Sequence, residues 1–375
     1  MINFVSHLPQ ALRSGGFSAM NAAAHAALAR RCDINYVGPI DAPVVPWEKA
    51  VSKALRLTGL GGDFAAYSES RLAAIARDVE RLADPRARLD FFHGVTMWIG
   101  TRPNRPYVAW SDCIFADYIE IYHESARFRA EDLRRIEAAE RRWLRSASRV
   151  LFTSRWAADR AIAHYGLDPG RVDSVGIFGE FGPPDRDAYA GARSFAFVAT
   201  DFVAKGGPVA LAAFRQLRRA HPDATLTIVG AAPGDIGGEP GVTYAGYLRK
   251  EVPQEYARFR DILGGAVGVV HPTRSDIAPL LLVEAALFGC PAIASRAFAI
   301  PELVEDGRTG WLLDNPADPA EIAAAMRRLL EDPGYLGLRA DAWRRARAEH
   351  GKDRFEAAML AALDQALAEA GAVAG

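Results

Sequence analysis

The stretch Phe195-Ala-Phe-Val-Ala-Thr-Asp-Phe-Val-Ala-Lys205-Gly206-Gly207-Pro208 passes from an apolar run, through a glycine-rich loop, into a helical pattern. The run reads as a buried strand, and Pro208 suits the first turn of a helix, where its missing N–H costs nothing. This strand–loop–helix unit recurs along the chain. Further strands are expected at Ile2–Ser6, Ile34–Val37, Leu89–His93, Tyr107–Trp110, Val150–Thr153 and Val172–Ile177 in the first half. The second half adds Thr225–Gly230, Val242–Ala245, Val267–Val270, Ala292–Ala294 and Trp311–Leu313. Between them lie helical patterns such as Ala19–Arg30, Arg71–Leu82, Glu131–Arg145, Val209–Ala220, Leu280–Phe288 and Pro319–Leu330. Such alternation implies an α/β fold with mostly parallel, doubly wound sheets covered by helices.

The alternation breaks at Phe181-Gly-Pro-Pro-Asp-Arg-Asp, where proline and glycine disfavour helix and strand alike. Two Rossmann-like domains are therefore expected, residues 1–185 and 192–350, hinged near 181–192 and facing each other across a cleft. Val44–Thr58 reads as an excursion, and the last segment, within 353–375, as an amphipathic helix. A length of 375 residues suits two domains. Forty-five basic residues nearly cancel 46 acidic ones, which disfavours nucleic-acid binding driven by bulk charge. Only five of the basic residues are lysines: Lys49, Lys53, Lys205, Lys250 and Lys352. Three scattered cysteines, no signal-like leader and no apolar run of about 18 residues suggest a cytoplasmic protein.

In parallel sheets ligands bind beyond the carboxyl ends of the strands, so chemistry is sought in those loops. Lys205 beside Gly206 and Gly207, at the start of a helix, makes an anion site: free amides, a positive helix end and a mobile ammonium. The plain alternative is an exposed lysine on a turn. The second candidate is His271-Pro-Thr-Arg-Ser-Asp276-Ile-Ala-Pro-Leu-Leu-Leu-Val-Glu284, a strand-end loop feeding an apolar helix. Glu284 stands among leucines, where a carboxylate is costly unless something binds it. Asp276 lies in the loop before the same helix. Two carboxylates near a positive helix end suit a polyhydroxylated ligand that also carries phosphate. The alternative for Glu284 is a structural ion pair with an arginine.

Several motifs then fall in one order: Lys205-Gly206, Leu226-Thr-Ile-Val-Gly230, Tyr244-Ala-Gly246-Tyr-Leu, Asp276 with Glu284, Gly289-Cys-Pro-Ala-Ile-Ala, and Ile300-Pro-Glu302 through Gly310. In this series the chain resembles the retaining, GT-B-fold glycosyltransferases of family 4, over about residues 195–330. Ser14-Gly15-Gly16 is similar to that family's first Gly-Gly loop, and Val150–Ala158 to the closing strand and helix of its acceptor domain. The resemblance implies transfer of a sugar from a nucleotide-diphosphate sugar, a UDP- or GDP-sugar, to a saccharide, lipid-linked or small-molecule acceptor, with retention and without a metal. No cofactor is implied beyond this co-substrate. Lys205 would pair with the diphosphate, Glu284 would hold the ribose and Asp276 the transferred sugar. The Leu280 and Leu281 amides would meet phosphate, and Gly246, Tyr247 and Leu248 would border the base. Gly15, Gly16, Gly206 and Gly230 belong to the same implied binding surface. The last helix would cross back onto the first domain.

Departures from that pattern are Thr200 in place of an arginine, Asp276 in place of a glutamate, Pro279 in place of a glycine, and Ala297-Phe298 in place of Gly-Gly. The last narrows the path of the sugar. A competing reading is accordingly a degenerate protein of this fold that binds sugar nucleotide or glycan without transfer; an epimerase of the same fold ranks last. His93, at a strand end, and Asp112, after the Tyr107–Trp110 strand, are further site candidates. Asp185-Arg-Asp187 reads as solvated linker, and no histidine spacing suggests a metal site. Arg127–Arg149, with eight arginines against four acidic residues, reads as a solvated helix face; the sharper reading is a basic face for peripheral contact with the inner surface of a membrane.

Overall fold

The computed structural model describes residues 1–10, 17–59, 61–179, 182, 184, 186–230 and 238–373, the last four of these by backbone alone. Two compact units emerge, one formed by Met1–Gly176 with Phe355–Gly375, the other by Ile177–Arg354. Each holds one six-stranded parallel sheet flanked by helices, so the fold is two-domain α/β.

The first sheet contains β1 (Ile2–Val5), β2 (Ile34–Val37), β3 (Asp90–His93), β4 (Tyr107–Ser111), β5 (Arg149–Phe152) and β6 (Val172–Ser174). Their order is β2-β1-β3-β4-β5-β6. In register, Phe4 of β1 lies beside Tyr36 and Phe91, and its ring stacks on both at 5.6 and 5.2 Å between centroids. The sequence pattern carries the sixth strand to Ile177; it stops at Ser174, and Gly176 turns the chain at a φ of +75°. From Phe355 onward, the helix Lys352–Val373 clusters with this unit. It buries Phe355, Met359, Leu363 and Ala366 and pairs Glu356 with Arg30, Asp364 with Arg31 and Glu369 with Arg149.

The second sheet contains β7 (Ser194–Ala199), β8 (Thr225–Gly230), β9 (Val242–Gly246), β10 (Gly268–His271), β11 (Ala292–Ser295) and β12 (Gly310–Leu313). Its order, β12-β11-β10-β7-β8-β9, is the doubly wound Rossmann order. Phe195, Phe197, Phe214, Leu226 and Met326 fill its core, each contributing about 1.5–3 kcal/mol by leaving water.

Two linker readings need correction. Val44–Thr58 contains a helix, Pro46–Leu57, with Pro46 at its start. Asp187 does not float in solvent: its carboxylate takes both arms of Arg339 at 2.7 and 2.6 Å. Arg339 is fully buried and also donates to the carbonyls of Gly264, Ala266 and Phe288, so the carboxylate compensates a charge inside the core.

Candidate functional site

The chain leaves β7 toward β8 on one side and β10 toward β11 on the other, so the loops after these adjacent strands diverge. That reversal is where doubly wound sheets open a crevice. Gly206 caps the helix Gly207–Arg218 at a φ of +83°, and a Cβ there would lie 2.5 Å from the Pro272 carbonyl oxygen. Only glycine lets the β7 loop rest on the β10 loop this closely. The contact carries Lys205 across the crevice. Its ammonium donates to the Ser275 carbonyl at 2.7 Å and lies 2.8 Å from Asp276 Oδ2. His271, buried at the end of β10, places Nε2 3.5 Å from the same oxygen, an electrostatic approach rather than a hydrogen bond. Burial pushes the Asp276 carboxyl up, but His271 and Lys205 together outweigh it and hold it below the usual carboxylate range.

Glu284 is 2% exposed on the helix Leu280–Leu287. Among the described residues its ion-pair partner is a lysine. Lys250, 34 residues away on the loop after β9, places Nζ 2.5 Å from Glu284 Oε1, and that ammonium also lies 5.6 Å from the centre of the Phe259 ring. Sequence reasoning assigned Lys250 no role; its rarity was the only local signal, because the pairing is long-range. Both carboxylates of the site thus face a lysine. Leu280 and Leu281 head the Glu284 helix, ahead of its Leu282-to-Pro279 turn, so their amides stand in the first-turn positions that α-helical bonding leaves open.

Gly246 ends β9 at a φ of +83° and leads into half-exposed Tyr247 and partly buried Leu248, two residues before Lys250. Gly230 has a nearer explanation than ligand binding. A Cβ on it would fall 1.7 Å from the Ala199 carbonyl, and its own carbonyl accepts from the Tyr244 hydroxyl at 2.9 Å. Phe298 adopts a left-handed φ of 54°, and the next amide, Ala299, donates to the Ile277 carbonyl at 3.1 Å. The strained residue therefore sits on a loop tied to the one that bears Asp276.

The first unit has its own reversal, between β1 and β3. His93 closes β3 and is fully buried, its ring 5.8 Å from His7 and 4.9 Å from Trp110. Ser6 Oγ donates to Asn21 Oδ1 at 2.8 Å, so at its 3.2 Å contact with His93 Nδ1 the ring nitrogen is the donor. The imidazole Nε2 is then the unprotonated nitrogen, and it has no hydrogen-bond partner among the described residues. Burial, reinforced by His7, holds His93 well below its ordinary pKa and keeps it neutral. Asp112 follows β4 and accepts from the Ser111 hydroxyl at 3.4 Å. Gly15 and Gly16 lie outside the described residues.

The arginine-rich stretch is largely engaged within its own unit. Arg129 pairs with Asp63, Arg135 with Asp132 and Arg149 with Glu369, while Arg145 donates to the Tyr165 carbonyl. On the inner face of the helix Ala130–Ser146 lies Glu140, fully buried. It accepts from Thr96, the Phe115 amide and Tyr165 at 2.6–2.7 Å, yet burial dominates and its carboxyl is pushed up to about 7.

Against known proteins, residues 192–332 match the family glycosyl transferases group 1. The chain is 32% identical over 233 residues to D-inositol 3-phosphate glycosyltransferase 1 of Catenulispora acidiphila, covering 56% of this chain and 55% of that protein. The chain thus spans about half the length of the curated relatives it matches. Among solved structures, sucrose-phosphate synthase from Thermosynechococcus elongatus superposes with a TM-score of 0.71 at 17% identity, covering 98% of this chain and 99% of that one. HepE of Anabaena, solved with UDP and glucose, gives 0.60 at 17% identity, covering 97% and 99%. These structural likenesses establish the fold, that of GT-B glycosyltransferases.

Proposed function

We propose that the protein is a retaining, metal-independent glycosyltransferase that moves a sugar from a UDP- or GDP-sugar to a saccharide, lipid-linked or small-molecule acceptor. The observation that carries this reading is the pairing of Lys205 with Asp276 and of Lys250 with Glu284 around the second sheet's reversal. Without donor, each lysine is neutralised by a carboxylate. On donor binding, the diphosphate draws Lys205 and the helix-head amides of Leu280 and Leu281, while Asp276 and Glu284 accept from sugar and ribose hydroxyls. Lys250 supplies the second cation that Thr200 does not. As the glycosidic bond breaks, the leaving diphosphate gains charge against these fixed donors, and its oxygen helps take the proton of the acceptor hydroxyl on the same face. This account needs no metal. A match to a glycosyltransferase family over residues 192–332 supports it.

Nucleoside diphosphate release from UDP- and GDP-sugar panels tests it. Lys205→Ala and Glu284→Ala are expected to abolish release while circular dichroism stays unchanged; wild-type rates in both variants would overturn it. A second reading, binding without transfer, is favoured by Phe298, a residue with a left-handed backbone φ standing in place of a glycine beside the Asp276 loop. Saturable donor binding with no release in the presence of any acceptor would establish that reading instead.

A further inference from the structure

Exposed large apolar side chains are few, and three of the nine among the described residues fall on one twelve-residue helix, Pro46–Leu57: Trp47 at 66%, Val51 at 51% and Leu57 at 80%. Its only fully buried member is Ser52, whose hydroxyl donates to the Asp63 carbonyl at 2.6 Å. Two stripes spaced i, i+4, i+7 run along the exposed arc. One is Trp47, Val51 and Ala54; the other is Lys49, Lys53 and Arg56, with Leu57 between them. Two of the chain's five lysines therefore stand on this helix. Glu48, its one acidic residue, turns away and accepts from Ser70 Oγ at 2.7 Å.

The basic stripe borders a groove of about 880 Å³ within the first unit. Arg127 and Tyr122 line it with Lys49, Lys53, Arg56 and Leu57, and Arg56 lies 5.5 Å from the centre of the Phe128 ring. Glu124, 3.9 Å from Arg127, is the carboxylate of the lining. Net charge over the chain is −1, so this is a local concentration of positive charge beside protruding tryptophan and leucine. A partner has to be broad, because the apolar stripe is convex and faces outward. It has to be anionic, because the flank is basic, and it has to accept an aromatic ring at a polar–apolar boundary. A bilayer interface meets all three conditions.

We propose that the helix Pro46–Leu57 docks the protein on the surface of an anionic lipid bilayer, with Trp47, Val51 and Leu57 entering the headgroup region and Lys49, Lys53 and Arg56 against lipid phosphates. This assignment is independent of the donor chemistry above and stands or falls on binding alone. The test is sedimentation of the full chain with vesicles of phosphatidylcholine, or of phosphatidylcholine carrying about 30 mol % phosphatidylglycerol. Partitioning into the anionic vesicles is expected to be stronger by at least about tenfold and to weaken with salt. The double variant Lys49→Glu, Lys53→Glu is expected to lose that preference while keeping its melting temperature. Trp47→Ala is expected to weaken binding with the salt slope unchanged. Equal partitioning into both vesicle types, or preference retained in the double variant, would overturn the assignment. So would displacement by inorganic phosphate beyond that by chloride at equal ionic strength, which would mark a discrete anion pocket. A concentration-dependent dimer abolished by Trp47→Ala would equally overturn it, in favour of a second copy of the chain.

Discussion

The two sheets reverse direction in the same way and furnish the two reversals with opposite chemistry. In the second unit the loops after β7 and β10 carry charge: Lys205 against Asp276, with Glu284 and Lys250 beyond. In the first unit the ends of β1 and β3 carry neutral rings, His93 packed with Trp110 and His7, its Nε2 an acceptor. One architecture thus sets ion pairs at one reversal and a buried, neutral imidazole at the other. The contrast teaches that the fold places a site, whereas the residue at each strand end decides what the site can grip.

The comparison breaks first at Glu284. Glu284→Ala is expected to slow donor turnover by about 100-fold or more, the scale of losing one preorganised polar group at a reacting centre. A steady-state assay showing less than a few-fold change would remove charge as the distinguishing feature of the second reversal.

Next in size is a difference in pH dependence. Glu140, raised to about 7 in the folded first unit from 4.5, keeps a proton that the unfolded chain releases. Stability from it is complete below 4.5 and is lost as pH rises through about 7, by roughly 3 kcal/mol. Asp276, lowered in the second unit from 3.8, has the opposite sign: its contribution is present above 3.8 and lost only in stronger acid. Thermal melts between pH 5 and 8 should therefore show a decline that Glu140→Gln flattens and Asp276→Asn does not. A decline identical in wild type and Glu140→Gln would refute the assignment.

Sharper still is His93→Gln, expected to lower transfer to acceptor about tenfold while leaving nucleoside diphosphate affinity intact. A loss of donor affinity instead would put both reversals to the same task. The smallest effect is expected at Phe298→Gly, which relieves a left-handed aromatic residue and should stabilise the fold by up to about 1 kcal/mol, read as a rise in melting temperature. A fall would show that the ring's packing outweighs its backbone strain.

The twelve strands among the described residues were legible because most are short apolar runs; their ends drifted by a residue, and by three at β6, where Gly176 turns the chain. The helix Pro46–Leu57 escaped because it points its apolar stripe at solvent and buries a serine, so no core-facing period exists to detect. At the candidate site, Lys205, Asp276 and Glu284 stood out by position relative to strands and helices. Lys250 did not, since an ion pair across 34 residues leaves no local trace. The state of His93 was equally invisible, for it depends on Ser6 having spent its proton on Asn21.

The decisive measurement is calorimetric titration of UDP and GDP into wild type, Lys205→Ala and Glu284→Ala. One saturable site for one of these nucleotides is expected in the wild type, with affinity reduced about tenfold or more in both variants while the unliganded melting temperatures hold. Binding of equal affinity in all three proteins, or no binding of either nucleotide to the wild type, would contradict it.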